Sequence, residues 1–156
     1  MTVWPTELGV RPLSKDDAKA VSSWRYMGPW AGYDLRGDDL DPAGYRAVVS
    51  AVDDELIGFY CVGPEARVPG IPPDDAVVDI GVGMNPGWVG RGHGADFARP
   101  VLDEIHREHP GTAIRVVIQS WNRRGVRLAQ RLGFVATGSH TCFQDGREVQ
   151  YTVLLL

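Results

Sequence analysis

Residues 84–95 read MNPGWVGRGHGA, and this stretch decides the fold because a strand predicted over residues 76–84 runs through it into a helix predicted from Gly92. Glycine has no Cβ atom, so Gly90, Gly92 and Gly94 allow main-chain N–H groups to approach a ligand closely. The helix start adds N–H groups without intrahelical partners and the positive end of the helix dipole. We therefore predict that the glycine loop, residues 90–95, binds a phosphate-bearing ligand.

Two familiar nucleotide-binding motifs compete for the glycine loop. A P-loop requires a lysine followed by Ser or Thr after its glycines, and no such pair follows here. The dinucleotide fingerprint G-x-G-x-x-G/A is matched by Gly90, Gly92 and Ala95, but it also requires an acidic residue at the end of the next strand. The next predicted strand, residues 113–118, is followed by Gln119. A dinucleotide-binding oxidoreductase is therefore the weaker alternative.

A second motif lies downstream, where residues 122–134 read NRRGVRLAQRLGF. Together with VGMNP at residues 82–86 and GRGHG at residues 90–94, it resembles the GCN5-related N-acetyltransferase (GNAT) family. The resemblance covers residues 76–156 and, more loosely, residues 8–24. It implies an α/β fold with three α/β/α layers, a central mixed and mostly antiparallel sheet, and a single domain over residues 1–156.

The resemblance implies transfer of an acetyl group from acetyl-CoA to a primary amine by direct attack in a ternary complex. Main-chain groups of the strand end would bind the pantetheine arm and the thioester oxygen, and the glycine loop would bind the pyrophosphate. The residues that the resemblance assigns to acetyl-CoA are Val82, Gly83, Met84, Gly90, Arg91, Gly92, His93, Gly94, Ala95 and Asn122. Asn122 also fits a plain helix cap, and Arg91 a solvated surface position.

The catalytic side chains of the family are only partly matched. Ala129 stands seven residues after Asn122, where many members carry a tyrosine that protonates the departing thiolate, and Val117 stands where some carry a carboxylate. Asp79 is then the best candidate for a general base, because a carboxylate in the middle of an apolar strand is costly unless it is paired or functional. A hydrogen-bonded structural aspartate is the equal alternative. A non-catalytic acyl-CoA-binding or regulatory module of the same fold is the competing function.

Composition sets limits on partners. The chain has 156 residues, 44% hydrophobic content, a net charge of −4 and two cysteines. These values predict one cytoplasmic domain with neither a disulfide framework nor a nucleic-acid partner. No apolar run is long enough to predict a membrane span, no histidine cluster predicts a metal site, and a homodimer is left open. The acceptor amine is not specified; Asp34, Asp38, Asp39 and Asp41 could attract an ammonium group or form a solvated acidic loop.

Hydrophobic periodicity and turn residues predict the elements of the sheet. Strands are predicted at residues 7–13, 46–52, 56–62, 76–84, 113–118, 134–142 and 148–155. Helices are predicted from the cap Ser14 to about Tyr26, over residues 92–108, and over residues 122–132. Pro100 predicts a kink in the second helix, and the segment between Met27 and Gly44 predicts a short helix among loops.

Overall fold

The computed structural model describes residues 3–35 and 40–156. Within these ranges the strands are β1 Leu8–Pro12, β2 Tyr45–Ser50, β3 Leu56–Val62, β4 Val77–Met84, β5 Ala113–Gln119, β6 Val135–Gln144 and β7 Arg147–Leu155. The α-helices are α1 Lys15–Ser23, α2 Gly94–Glu108 and α3 Arg123–Arg131. Short 3-10 helices span Gly28–Tyr33, Pro42–Gly44 and Gly63–Ala66.

The strands form one seven-stranded sheet in the order β1-β2-β3-β4-β5-β7-β6. The pairs β1–β2, β2–β3, β5–β7 and β6–β7 are antiparallel, whereas β4 and β5 are parallel. The prediction of a mixed and mostly antiparallel sheet is therefore confirmed. The chain divides into two compact units, unit 1 with residues 1–61 and 82–105, and unit 2 with residues 62–81 and 106–156. The boundary falls within β4, so that this strand contributes residues to both units.

Unit 1 is built on the β1–β2–β3 meander and on α1. A capping box starts α1, because the Ser14 hydroxyl accepts from Asp17 N while the Asp17 carboxylate accepts from Ser14 N. The apolar side of the helix supplies Ala18 and Val21 to a buried cluster that also contains Val49 of β2. Such burial supplies most of the stability of a short helix. The start of the helix is as predicted, but it ends at Ser23 rather than near Tyr26.

Unit 2 is built on the parallel pair formed by β4 with β5 and on the antiparallel strands β7 and β6. The hairpin between β6 and β7 turns at Asp145 and Gly146, both of which have positive φ, 51° and 76°. Positive φ at both central residues is the requirement of a type I′ turn, which favours an Asp-Gly pair. The hairpin predicted around these residues is therefore confirmed.

The second helix runs without interruption through Pro100. Its buried side chains are Phe97, Val101, Leu102 and Ile105, the spacing that predicted an amphipathic helix. Pro100 has no N–H group for the carbonyl of residue 96, and the kink predicted from this loss stays a prediction. Among the residues described, no helix is long and apolar enough to span a membrane.

Candidate functional site

The glycine loop of unit 1 has the backbone geometry that the sequence predicts. Trp88 N donates to Asn85 O at 2.9 Å and turns the chain away from the end of β4. Gly90 and Gly92 then adopt φ angles of 77° and 84°, in the left-handed region that favours glycine. A Cβ atom built on Gly92 would meet no heavy atom within 4 Å, so the backbone angle requires the glycine and crowding does not. The space above Gly92 is therefore open to a ligand.

The start of α2 follows directly from this loop. Phe97 N donates to His93 O at 2.9 Å, which makes His93 the capping residue whose carbonyl accepts the first helical hydrogen bond. The N–H groups of Gly94, Ala95 and Asp96 precede this bond, so helix geometry provides no intrahelical acceptor for them. These donors and the helix dipole fit an anionic group such as a pyrophosphate. The exposed Asp96 carboxylate adds an opposing charge, which Arg99 approaches to 4.0 Å.

The peptide group between Met84 and Asn85, at the end of β4, is hydrogen-bonded on both sides. Met84 O accepts from Tyr26 Oη at 2.7 Å, and the next N–H, that of Asn85, donates to Ile57 O of β3 at 2.8 Å. The carbonyl of Met84 therefore accepts from Tyr26, and the role predicted for the main chain of Met84 in binding acetyl-CoA stays a prediction. The roles predicted for Val82 and Gly83 stay predictions; the side chain of Val82 is half exposed.

Glycines allow β3 and β4 to approach closely at this point. A Cβ atom on Gly58 would lie 2.5 Å from Gly83 O, and one on Gly83 would lie 2.4 Å from the ring of Phe59. Neither contact is compatible with a larger residue unless backbone or ring moves. Gly83 thus has a packing role in addition to any contact with acetyl-CoA.

A cluster of rings packs against the glycine loop, and the sequence did not reveal it. The rings of Trp4 and His93 are stacked, with centroids 4.2 Å apart and an interplanar angle of 1°. Trp88 meets both rings edge-on, with centroid distances of 5.2 Å to Trp4 and 5.6 Å to His93. The guanidinium carbon of Arg91 lies 5.9 Å from the centroid of the Trp88 ring. We refer to Trp4, Trp88 and His93 as the ring cluster.

In unit 2, Asp79 is buried in an ion pair with two arginines. Arg115, its neighbour on β5, donates from Nε to Asp79 Oδ1 at 2.5 Å and from Nη2 to Oδ2 at 3.0 Å. Arg67 donates from Nε to the same Oδ2 at 2.9 Å. Asp79 is only 3% exposed, and each of its carboxylate oxygens accepts from an arginine. The sequence revealed the buried carboxylate but not its two partners.

These contacts determine the charge of Asp79. Burial opposes ionisation, but the hydrogen bonds from Arg115 and Arg67 outweigh it and hold the pKa of Asp79 below its ordinary value. A carboxylate with a lowered pKa and no spare oxygen is a weak proton acceptor near neutral pH. The geometry therefore favours the structural alternative for Asp79, while its role as a general base stays a prediction.

Asn122 caps α3 in unit 2, as predicted. Its Oδ1 accepts from Gly125 N at 3.0 Å, and a Cβ atom on Gly125 would lie only 2.8 Å from Asn122 Nδ2. The cap explains the asparagine at position 122, and the short distance to its amide explains the glycine at position 125. The second role predicted for Asn122, in positioning acetyl-CoA, stays a prediction. Ala129 of the same helix is 6% exposed, so a tyrosine at this position would have to displace its neighbours.

The aspartates proposed to attract an ammonium group have local partners where they are described. Asp34 Oδ1 accepts from Tyr26 N at 2.8 Å, and Asp41 Oδ1 accepts from Ala43 N at 3.0 Å. Asp38 and Asp39 lie outside the described residues. Within residues 3–35 and 40–156, no group of three or more His, Cys, Asp or Glu side chains could hold a metal ion.

Comparisons of the sequence do not assign the chain to a family. No protein-family model matches the chain, and no curated protein sequence matches it either. The fold, in contrast, is shared with solved structures along the entire chain.

Three of these structures illustrate the likeness. A GNAT-family acetyltransferase from Bacillus anthracis superposes with a TM-score of 0.75 at 15% identity, covering 100% of this chain and 98% of that one. A chimera of the spermidine N-acetyltransferase SpeG from Vibrio cholerae and hSSAT gives 0.70 at 18% identity, covering 97% and 95%. The yncA protein of Salmonella typhimurium, solved with its cofactor acetyl-CoA, gives 0.64 at 22% identity, covering 96% and 92%. The chain has the fold of the GCN5-related N-acetyltransferases.

Proposed function

We propose that this protein transfers the acetyl group of acetyl-CoA to a primary amine. The observation that carries the proposal is the glycine loop, where two glycines with positive φ lead into the N-terminus of α2 directly after a strand end. No heavy atom lies within 4 Å of a Cβ atom built on Gly92, and the first-turn N–H groups of a helix suit a pyrophosphate. The GNAT fold of the chain and the acetyl-CoA present in the yncA structure support acetyl-CoA as the bearer of that pyrophosphate.

The reaction is a direct acyl transfer. The amine nitrogen forms a bond to the thioester carbonyl carbon, the C–S bond breaks, the ammonium proton passes to solvent or a base, and CoA leaves as a thiolate. A thiol has a pKa of about 8.5, so the thiolate is a tolerable leaving group without a dedicated acid. This chemistry suits a chain with alanine at position 129. The N–H of Met84 is the donor that we assign to the thioester oxygen.

The first prediction tests the ligand by thermal unfolding. We expect acetyl-CoA at about 100 times its Kd to raise the Tm by about 5–10 °C, because binding to the folded state alone stabilises it by mass action. NAD and ATP at the same concentration should leave the Tm unchanged. A Tm that rises with NAD but not with acetyl-CoA would support the dinucleotide-binding alternative instead.

Two glycine variants locate the ligand. Gly92→Val should lose the acetyl-CoA shift, because a β-branched side chain at φ 84° distorts the loop and fills the open space above it. Gly111→Val is the matched control: Gly111 has φ 74° and also has no heavy atom near its Cβ position, but it lies in the turn before β5. Both variants should be destabilised, and only the control should keep the acetyl-CoA shift. A retained shift in folded Gly92→Val would refute the site.

The acceptor is tested by release of CoA thiol with a panel of amines. Spermidine belongs in the panel because one structural neighbour is a spermidine N-acetyltransferase chimera. A peptide N-terminus, a peptide with an internal lysine and an aminoglycoside represent the other classes of primary amine. Release above the hydrolysis background with one of these amines identifies the class.

A non-catalytic acyl-CoA-binding module is the second candidate, and one observation favours it. The best candidate for a general base in the sequence, Asp79, is bound to Arg67 and Arg115. Binding of acetyl-CoA without thiol release for any amine in the panel would establish the binding module.

A further inference from the structure

The α-helices within residues 3–35 and 40–156 do not all begin in the same way. Helix α1 is capped by the Ser14 side chain and α3 by the Asn122 side chain, each of which accepts a main-chain N–H of the first turn. Helix α2 begins instead at His93, whose carbonyl accepts from Phe97 N and whose ring lies flat against Trp4. The difference falls on the helix that starts at the glycine loop.

A side-chain cap would compete with a ligand at this place. The side-chain oxygen of serine, threonine, aspartate or asparagine at the capping position accepts from the N–H of the second or third helical residue, here Ala95 or Asp96. The capping position of α2 is instead occupied by His93, whose ring is stacked on Trp4 with the centroids 4.2 Å apart, and histidine is not among the preferred capping residues. A histidine at this position therefore competes less with an anion for the first-turn donors than a serine or an asparagine would.

The ring cluster also fixes the loop before a ligand arrives. Trp88 precedes the two glycines with positive φ and is 5% exposed, while Trp4 comes from the segment before β1 and touches both Trp88 and His93. Aromatic pairs in such stacked and edge-on arrangements attract each other beyond their buried area. Glycines give the loop wide conformational freedom, and the rings at either side of them reduce it. A loop that is ordered in advance loses less entropy on binding.

We propose that Trp4 is a positioning residue for the anion site: by stacking on His93 and packing on Trp88, it holds the glycine loop in its binding conformation. This inference rests on the proposed function, since the anion in question is the pyrophosphate of acetyl-CoA. Trp4 acts through the loop and needs no contact with the ligand. The segment before β1 thus becomes part of the site.

Hydrogen exchange in the ligand-free protein tests the positioning role directly. In Trp4→Ala the amides of residues 90–96 should exchange about 3- to 10-fold faster, the factor expected from losing one or two aromatic contacts. Trp4→Phe should restore most of the protection, because phenylalanine can still stack. Phe143→Ala is the control, since Phe143 is an aromatic residue of β6 with 74% exposure, and its loss should leave these amides unchanged. Unchanged exchange in Trp4→Ala would overturn the proposal.

Calorimetric titration with acetyl-CoA tests the consequence for binding. Trp4→Ala should raise the Kd about 3- to 10-fold, and Phe143→Ala should leave it unchanged. His93→Ser should also raise the Kd, because it removes the ring on which Trp4 stacks and places a hydroxyl that can accept from a first-turn N–H. A purely structural role for these residues predicts a lower Tm and no change in Kd.

The two proposals fail in different ways. Absence of acetyl-CoA binding by the wild-type protein overturns the proposed function. Wild-type binding together with an unchanged Kd in Trp4→Ala overturns the positioning role alone.

Discussion

For Asp79, the sequence predicts an unusual environment but not the partners of the carboxylate. A carboxylate between apolar residues of a strand is conspicuous, because burial without a partner would be costly. Its partners are 12 and 36 positions away along the chain, and the second becomes a neighbour only because β4 and β5 pair in parallel. The sequence therefore predicted a special residue and left open whether it was a base or a structural anion. Strand pairing supplies the missing information.

The ion pair predicts a large loss of stability in Asp79→Asn. The Arg115 side chain is 10% exposed, and without Asp79 its charge would remain buried with a neutral amide beside it. Removing one partner from a buried ion pair costs about 3–5 kcal/mol. Urea unfolding at pH 7 measures the change, with Asp75→Asn as an exposed control expected to stay within about 0.5 kcal/mol of wild type. An equally small change for Asp79→Asn would contradict the buried pair.

The same pair makes part of the stability depend on pH. Because the folded-state pKa of Asp79 is lowered, its contribution is complete above the unfolded value of about 3.9 and is lost as pH falls through the folded pKa. The difference in unfolding free energy between wild type and Asp79→Asn should therefore be constant from pH 5 to 8 and should shrink in stronger acid.

The turnover of Asp79→Asn, measured per folded molecule, separates a structural role of Asp79 from a catalytic one. A fall in the kcat of Asp79→Asn by about 10²–10⁴-fold would support Asp79 as a general base.

At the scale of elements, the sequence predicted best the features that are set by local chemistry. The Ser14 and Asn122 caps, the Asp145–Gly146 turn and the apolar face of α2 all depend on residues a few positions apart. The 3-10 helix Gly28–Tyr33 was predicted only as a short helix of unknown ends, because a six-residue segment with little periodicity leaves no pattern to read. The hydrogen bond from Tyr26 to Met84 spans 58 positions and had no local signal.

That hydrogen bond joins the segment after α1 to the end of β4 and carries a prediction. In Tyr26→Phe the carbonyl of Met84 loses its donor, which should cost about 1 kcal/mol of stability and loosen the peptide beside the glycine loop. We expect a several-fold higher Kd for acetyl-CoA in addition to the lower stability. Tyr33→Phe removes a hydroxyl from the same segment and should leave the Kd unchanged. Equal Kd values in wild type and Tyr26→Phe would show that this peptide does not contribute to binding.

High pH offers a second check of the same contact. Burial, and to a smaller extent the negative charge of Asp34, raise the pKa of Tyr26 to about 12 from its ordinary value of 10.0. A folded pKa above the unfolded one means that the contribution of the hydroxyl is complete below pH 10 and is lost as pH rises towards 12. The difference in unfolding free energy between wild type and Tyr26→Phe should narrow over that range.

Across the whole molecule, the parts of the site that could be predicted are those made by the main chain. Glycines before a helix start form a recognisable pattern in the sequence, because few other residues adopt the positive φ that the backbone has there. Side-chain partners such as Trp4 and Arg67 came from segments that the sequence described only as a chain start and a loop. Their roles depend on tertiary contacts, which no local pattern specifies. An acceptor site for the proposed reaction would depend on such contacts too, so the sequence left the class of acceptor open.

The arginine-bound Asp79 and the alanine at position 129 together predict how the proposed reaction depends on pH. An amine attacks only in its neutral form, and its ammonium has a pKa of about 8 for an α-amine or about 10.4 for a lysine side chain. Asp79 has a lowered pKa and is ionised throughout this range, so it produces no acidic limb of its own there. The acidic limb of kcat/KM should then follow the acceptor, and its midpoint should move with the ammonium pKa when one acceptor replaces another.

Thiol release measured from pH 6 to 10 with two acceptors of different pKa tests this dependence. For acceptors that differ by about 2 units, as an α-amine and a lysine do, the midpoints should differ by about the same amount. A midpoint that stays at one pH for both acceptors would assign the limb to a group of the protein, because an enzyme base titrates independently of the amine that it serves. The comparison uses only the wild-type protein, so no loss of folding in a variant can imitate either result.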